Sequence, residues 1–152
     1  MSVNPIPSDY PRVCAYLIVD GAADAIEFYT SVFDATERHR MAGADGRIGH
    51  AELQLGDSVI MLADAYPEMD IRDPHAIGGS PVNMTVYVPD VDATFEAALA
   101  AGATSVQLVE DKFYGDRAGQ FEDPFGHIWN VMSHIEDVTP DEMARRARAA
   151  GF

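Results

Sequence analysis

Basic residues are scarce in this chain: 10 Lys and Arg stand against 25 Asp and Glu, for a formal net charge of −15. Nucleic-acid and anionic-membrane partners are thereby disfavoured, since phosphate binding needs a basic footprint. Cysteine is nearly missing as well. Cys14 is the only one, which excludes an internal disulfide and points to a reducing, cytoplasmic setting. No run approaches the roughly 20 apolar residues of a membrane span, and the leader, residues 1–12, holds three prolines instead of a signal-peptide core. Gly-rich phosphate loops, a GxSxG elbow and an HExxH helix are all missing from the sequence. What is present in quantity is apolar residue content, 47% of 152 residues, enough to bury a core.

That apolar content is patterned. Residues 13–19 form a strand-length run, and Ala22, Ile26, Tyr29 and Phe33 follow at helical spacing. Residues 38–41 suit an edge strand. Residues 48–55 alternate, with His50, Glu52 and Gln54 on one face and Ala51, Leu53 and Leu55 on the other. Gly56-Asp57 predicts a two-residue turn into a strand at 58–63, which sets Glu52 opposite Met61 and His50 opposite Ala63. Residues 66–81, rich in Pro, Gly and Asp, read as a linker with little structure of its own.

The pattern then restarts. A strand is predicted at 82–88, a helix at 91–101 closed by Gly102, and strands at 104–109, 120–123 and 127–133. Tyr114 to Arg117 read as a loop. Cys14, Val19 and Met61 fall on Asn83, Val88 and Asn130, each 69 positions later. A strand-helix-strand-strand-strand unit repeated once is the simplest description: module one at about 12–65, module two at about 82–134. Thr139-Pro140-Asp141-Glu142 is a capping box that opens a terminal helix over about 139–150.

Several segments together resemble the glyoxalase/bleomycin-resistance, or vicinal oxygen chelate, superfamily. They are Tyr16-Leu17-Ile18-Val19-Asp20 with Phe28-Tyr29, Val88-Pro89-Asp90, and Asp123-Pro124-Phe125-Gly126 leading to Trp129. The resemblance implies an α+β fold in which two βαβββ modules form a curved mixed-sheet cup, with the C-terminal helix added. It also implies four metal-ligand positions, which here carry Cys14, Met61, Asn83 and Asn130. A thioether and two uncharged carboxamides are poor ligands for zinc or hard cations, so no metal or other cofactor is expected there.

Strand parity sets Cys14, Tyr16 and Ile18 on one face, as it does Asn83, Thr85 and Tyr87, and Ile128, Asn130 and Met132. By the resemblance these faces line the cup. Cys14, Tyr16, Met61, Asn83, Tyr87, Asn130 and Arg117 are accordingly expected to touch a small-molecule ligand, Arg117 through a carboxylate or phosphate unless Asp116 or Asp123 pairs with it. His50 and Glu52, with Glu122, are the candidates for acid–base catalysis. Cys14, expected to be buried and lacking a base, is a poor nucleophile. His127 reads as structural, and His134 lies at a strand end with no evident partner. Ligand sequestration without turnover is the leading reading. The alternatives are a metal-free or relocated-metal lyase or isomerase on a small oxygenated substrate, and a module kept for protein contacts. Unpaired sheet edges suggest a homodimer.

Overall fold

The computed structural model describes residues 4–152, so the first three residues of the leader lie outside the described residues. The chain divides into two units, Met1–Gly79 and Ser80–Phe152. In the first, β1 (Ala15–Val19) leads through α1 (Ala22–Phe33) to β2 (Thr36–Ala42), β3 (Ile48–Leu55) and β4 (Ser58–Asp64). The sheet runs β1-β4-β3-β2, with β1 parallel to β4 and the other pairs antiparallel. Leu55 pairs with Ser58 and Glu52 with Met61, so the two-residue turn is as expected, with Gly56 at a φ of 58° that favours glycine. Leu17, Val19, Leu53 and Leu62 are buried on the side where α1 packs, against a helix that buries Ala25, Ile26, Tyr29 and Val32.

The second unit repeats the order as β5 (Asn83–Tyr87), α3 (Val91–Ala100), β6 (Thr104–Asp111), β7 (Asp116–Glu122) and β8 (Ile128–His134), with sheet order β5-β8-β7-β6. α4 (Pro140–Ala149) follows, its first turn capped by Thr139. The repeat holds in the registers: Tyr16 pairs with Met61, and Thr85 pairs with Asn130, each 69 positions on. Val86, Trp129 and Val131 are buried on the helix side, which leaves Thr85 and Asn130 on the opposite face.

Two expectations are corrected. The segment 66–81 is not featureless: it holds a 3-10 turn at Pro67–Met69 and the short α2 (Pro74–Ile77), whose Asp73 cap accepts a hydrogen bond from the His75 N–H. The Asp-Pro pair at the cap and first helical position supplies the reason. Nor do Asp116 and Arg117 lie in a loop, for β7 starts at Asp116. Alternation is invisible there because Gly119 sits where a Cβ would come within 2.8 Å of Val109 Cγ2 and 3.1 Å of the Phe95 ring. The close approach of strand and helix needs a residue without a side chain.

Candidate functional site

In the first unit, neighbouring strands bring three polar side chains together on the face away from α1. Met61 of β4 pairs with Tyr16 of β1 on one side and with Glu52 of β3 on the other. His50 lies two residues before Glu52, hence on the same face. Glu52 is only 7% exposed. It accepts hydrogen bonds from the Tyr10 hydroxyl at 3.0 and 2.9 Å, and His50 Nε2 lies 3.1 Å from its Oε1. The other ring nitrogen, Nδ1, lies 2.9 Å from the Tyr16 hydroxyl. Arg38 adds positive charge, its Nε 4.0 Å from Glu52 and its guanidinium over the Tyr10 ring at 4.5 Å.

The charges follow from these contacts. The His50 hydrogen bond, helped by Tyr10 and Arg38, holds the Glu52 carboxyl below its ordinary range against the opposing effect of burial. Partial burial pushes the Tyr16 phenol upward, so it keeps its proton. An ionised carboxylate only accepts. His50 Nε2 therefore carries the hydrogen toward Glu52, and in the neutral ring Nδ1 is then the acceptor for the Tyr16 hydroxyl. A carboxylate that fixes an imidazole tautomer, which in turn holds a hydroxyl, is an arrangement able to move a proton.

Beside this chain lies a cavity of about 230 Å³. Tyr16 and Ile18 of β1, Asp64 of β4, and Tyr66, Met69 and Ile71 wall it. The last three belong to segment 66–81, whose Pro-, Gly- and Asp-rich composition reads as a linker. An aromatic and two large apolar residues within a Pro- and Asp-rich stretch were the available signal. Tyr66 pairs with Ile71 across the intervening turn, and Arg47 lies over the Tyr66 ring at 3.9 Å while bonding Asp45 and Glu68.

The second unit places its counterparts differently. Gln120, opposite Asn130 as Glu52 is opposite Met61, donates to Asn130 Oδ1 at 2.6 Å. Asn130 Nδ2 donates to Thr85 at 3.2 Å. This network is uncharged. Asn83 is exposed and opposite Ile128. The Tyr87 hydroxyl donates to the buried Asp116 at 2.9 Å, and Asp116 also holds His134 Nδ1 at 2.8 Å, so His134 does have partners. Asp137 and Asp116 raise the His134 pKa. Arg117 engages neither Asp116 nor Asp123. It grips Asp92 through two bonds of 2.7 and 2.8 Å and Asp111 through one of 2.8 Å. Glu122 lies on β7 between Thr104 and Ile128, in the other unit from His50 and Glu52. Cys14 is half-buried, its thiol 3.7 Å from the Pro11 carbonyl.

The family model for the Glyoxalase/Bleomycin resistance protein/Dioxygenase superfamily matches residues 12–131. The chain belongs to that superfamily. An uncharacterized protein of Mycobacterium tuberculosis is 42% identical over 144 residues, 93% of this chain and 85% of the relative. The X-ray structure of an Arabidopsis thaliana gene product superposes with a TM-score of 0.64 at 26% identity, covering 80% of this chain and 98% of that one. TioX from Micromonospora sp. ML1 gives a TM-score of 0.60 at 28% identity, over 82% and 99% of the two chains.

The superfamily resemblance implies a divalent metal, and the residues at its four ligand positions do not fit one. Asn130 is committed to Gln120 and Thr85. Met61 offers a thioether, Asn83 an uncharged carboxamide, and Cys14 a lone thiol. Among the described residues, no three His, Cys, Asp or Glu side chains gather into a group able to hold an ion. Protein purified without chelator is expected to carry far less than one equivalent of Zn, Ni, Mn or Fe by elemental analysis. A stoichiometric metal lost on Asn130→Leu substitution would contradict this assignment.

Proposed function

We propose that this superfamily member binds a small organic molecule at the first unit and holds it without turnover. The observation that supports this most is the cavity beside Tyr16: mainly apolar walls, a size somewhat below that of drug-sized ligand sites and suited to a small molecule, and a polar chain fixed at one side. Filling the cavity tests the reading. Ile18→Trp is expected to weaken compounds found by ligand-observed NMR screening by roughly tenfold or more, because the new ring occupies their space. Hits that bind the variant and the parent equally would place binding elsewhere. A homodimer and a cytoplasmic location belong to the same proposal, supported by exposed sheet edges and by a single, unpaired cysteine.

One observation favours a second reading, a metal-free lyase or isomerase. The hydrogen-bonded order Glu52, His50, Tyr16 suits withdrawal of a proton, with Tyr16 or His50 receiving it and Glu52 stabilising the resulting imidazolium. A bound compound consumed over time, with the rate falling by about 10²-fold or more in Glu52→Gln, would select this reading over sequestration. An unchanged compound selects binding.

A further inference from the structure

We infer that Arg47, which does not itself line the cavity of the first unit, controls it: Arg47 latches a flap, residues 66–72, that supplies three of the cavity's walls. The inference rests on the binding reading above and adds the positioning residue that sets how firmly a ligand is held.

The flap is bounded by two fixed points. Before it, the Ala65 N–H donates to the Val19 carbonyl of β1 at 2.8 Å. After it, Asp73 is 7% exposed, caps α2 and is followed by the buried Pro74. Between them the chain turns back on itself. The Tyr66 N–H donates to the Ile71 carbonyl at 2.8 Å and the Ile71 N–H to the Tyr66 carbonyl at 3.1 Å, while Met69 and Asp70 bond Tyr66 and Pro67 inside the turn. Arg72 pairs with Asp70. Among the described residues, every hydrogen bond and ion pair of 66–72 stays within the segment except the one to Arg47. Such a unit can swing on its two ends as one body without breaking its own bonds.

Arg47 holds it from outside, from the loop just before β3. Its Nε donates to Asp45 at 2.8 Å, which fixes the guanidinium. Nη2 donates to Glu68 at 2.7 Å, and Cζ stands 3.9 Å over the Tyr66 ring. One cation thus engages the flap twice. The Arg47 and Glu68 side chains are 37% and 55% exposed, and a pair so exposed holds weakly and is screened by salt. The ring adds a cation–π attraction of similarly modest size. That strength suits a latch, favouring the closed flap without locking it. Tyr66, Met69 and Ile71 are cavity walls on the flap, whereas Tyr16 and Ile18 are walls on β1. Releasing the flap therefore removes one side of the cavity and leaves the other in place.

Benzene is the probe, since an apolar cavity of about 150 Å³ already admits it and this one measures about 230 Å³. In the full chain labelled at the Ile and Met methyls, Ile18 reports the fixed wall and Ile71 and Met69 report the flap. Without benzene, Arg47→Ala should bring millisecond exchange into the Ile71 and Met69 methyls and none into Ile18. With benzene, the same variant should bind roughly tenfold more weakly, the loss expected from one ion pair and one cation–π contact together. Glu68→Gln, which keeps the ring contact, should lose roughly threefold, and added salt should narrow its difference from wild type. Flap methyls that stay quiet in Arg47→Ala, or a benzene affinity unchanged by it, would overturn the latch and leave the cavity standing. Benzene that moves none of these methyls in the wild type would sink the binding reading, and the inference with it.

Discussion

Asp64→Ala is expected to lower the stability of the first unit by about 3–5 kcal/mol, from two buried N–H donors and one part-buried one left without an acceptor. Asp64 is 8% exposed and sits at the end of β4. Its carboxylate reaches back to the start of α1, where Gly21 offers no side-chain cap, and across to Ile48 at the start of β3. One side chain thus closes the helix N-terminus and ties two strands. Urea denaturation followed by circular dichroism measures the loss, and amide exchange in α1 localises it. A change below about 1 kcal/mol, the size of an ordinary exposed cap, would show that water or a neighbour replaces the carboxylate.

Asp123→Ala should cost the second unit a comparable amount, about 3–5 kcal/mol by the same argument. Asp123 is 2% exposed. Oδ1 accepts from the backbone N–H of Phe125 and His127 at 3.0 and 2.9 Å, and Oδ2 accepts from the Trp129 indole N–H at 2.9 Å. The turn between β7 and β8 is therefore held from within, and the ring that fills the core under α3 is held by the same carboxylate. Trp129 is the only tryptophan, so its fluorescence reports the event directly. Wild-type emission and an unchanged urea midpoint in the variant would refute the assignment.

These two carboxylates illustrate what could be read from the sequence and what could not. Asp123 falls in the Asp-Pro-Phe-Gly turn, whose residue types and spacing announce a hairpin. The hairpin at 48–64 was legible for the same kind of reason: alternation around a Gly-Asp turn leaves few registers. The repeat was legible in element order, since α1 and α3 both begin 69 positions apart, at Ala22 and Val91. Its chemistry was not. Where Asp64 caps α1, Ser133 takes the Val91 N–H at 3.0 Å, and the two residues share nothing in sequence beyond an oxygen.

The site was half legible, for a related reason. Parity put His50 and Glu52 on one face, because both lie on one strand. It could not supply Tyr10, 42 positions away from Glu52 and on a segment without helix or strand, nor the wall formed by Tyr66, Met69 and Ile71. Arg117 is a similar case. Its partners Asp92 and Asp111 sit on α3 and β6, so proximity along the chain pointed to the wrong aspartates. Long-range pairing of charged side chains leaves no periodic trace, whereas burial of apolar ones does.

Both functional readings pass through one hydrogen-bonded chain, and its polarity can be measured. Long-range ¹H–¹⁵N correlation spectra of the histidine rings, recorded near neutral pH, distinguish the two tautomers of each imidazole. For His50 the expected result is a protonated Nε2 and an unprotonated, hydrogen-bonded Nδ1, with the Nδ1 signal shifting in Tyr16→Phe. A proton on Nδ1 with Nε2 bare would contradict the chain from Glu52 to Tyr16, and with it the assignment of the site to this wall of the first unit.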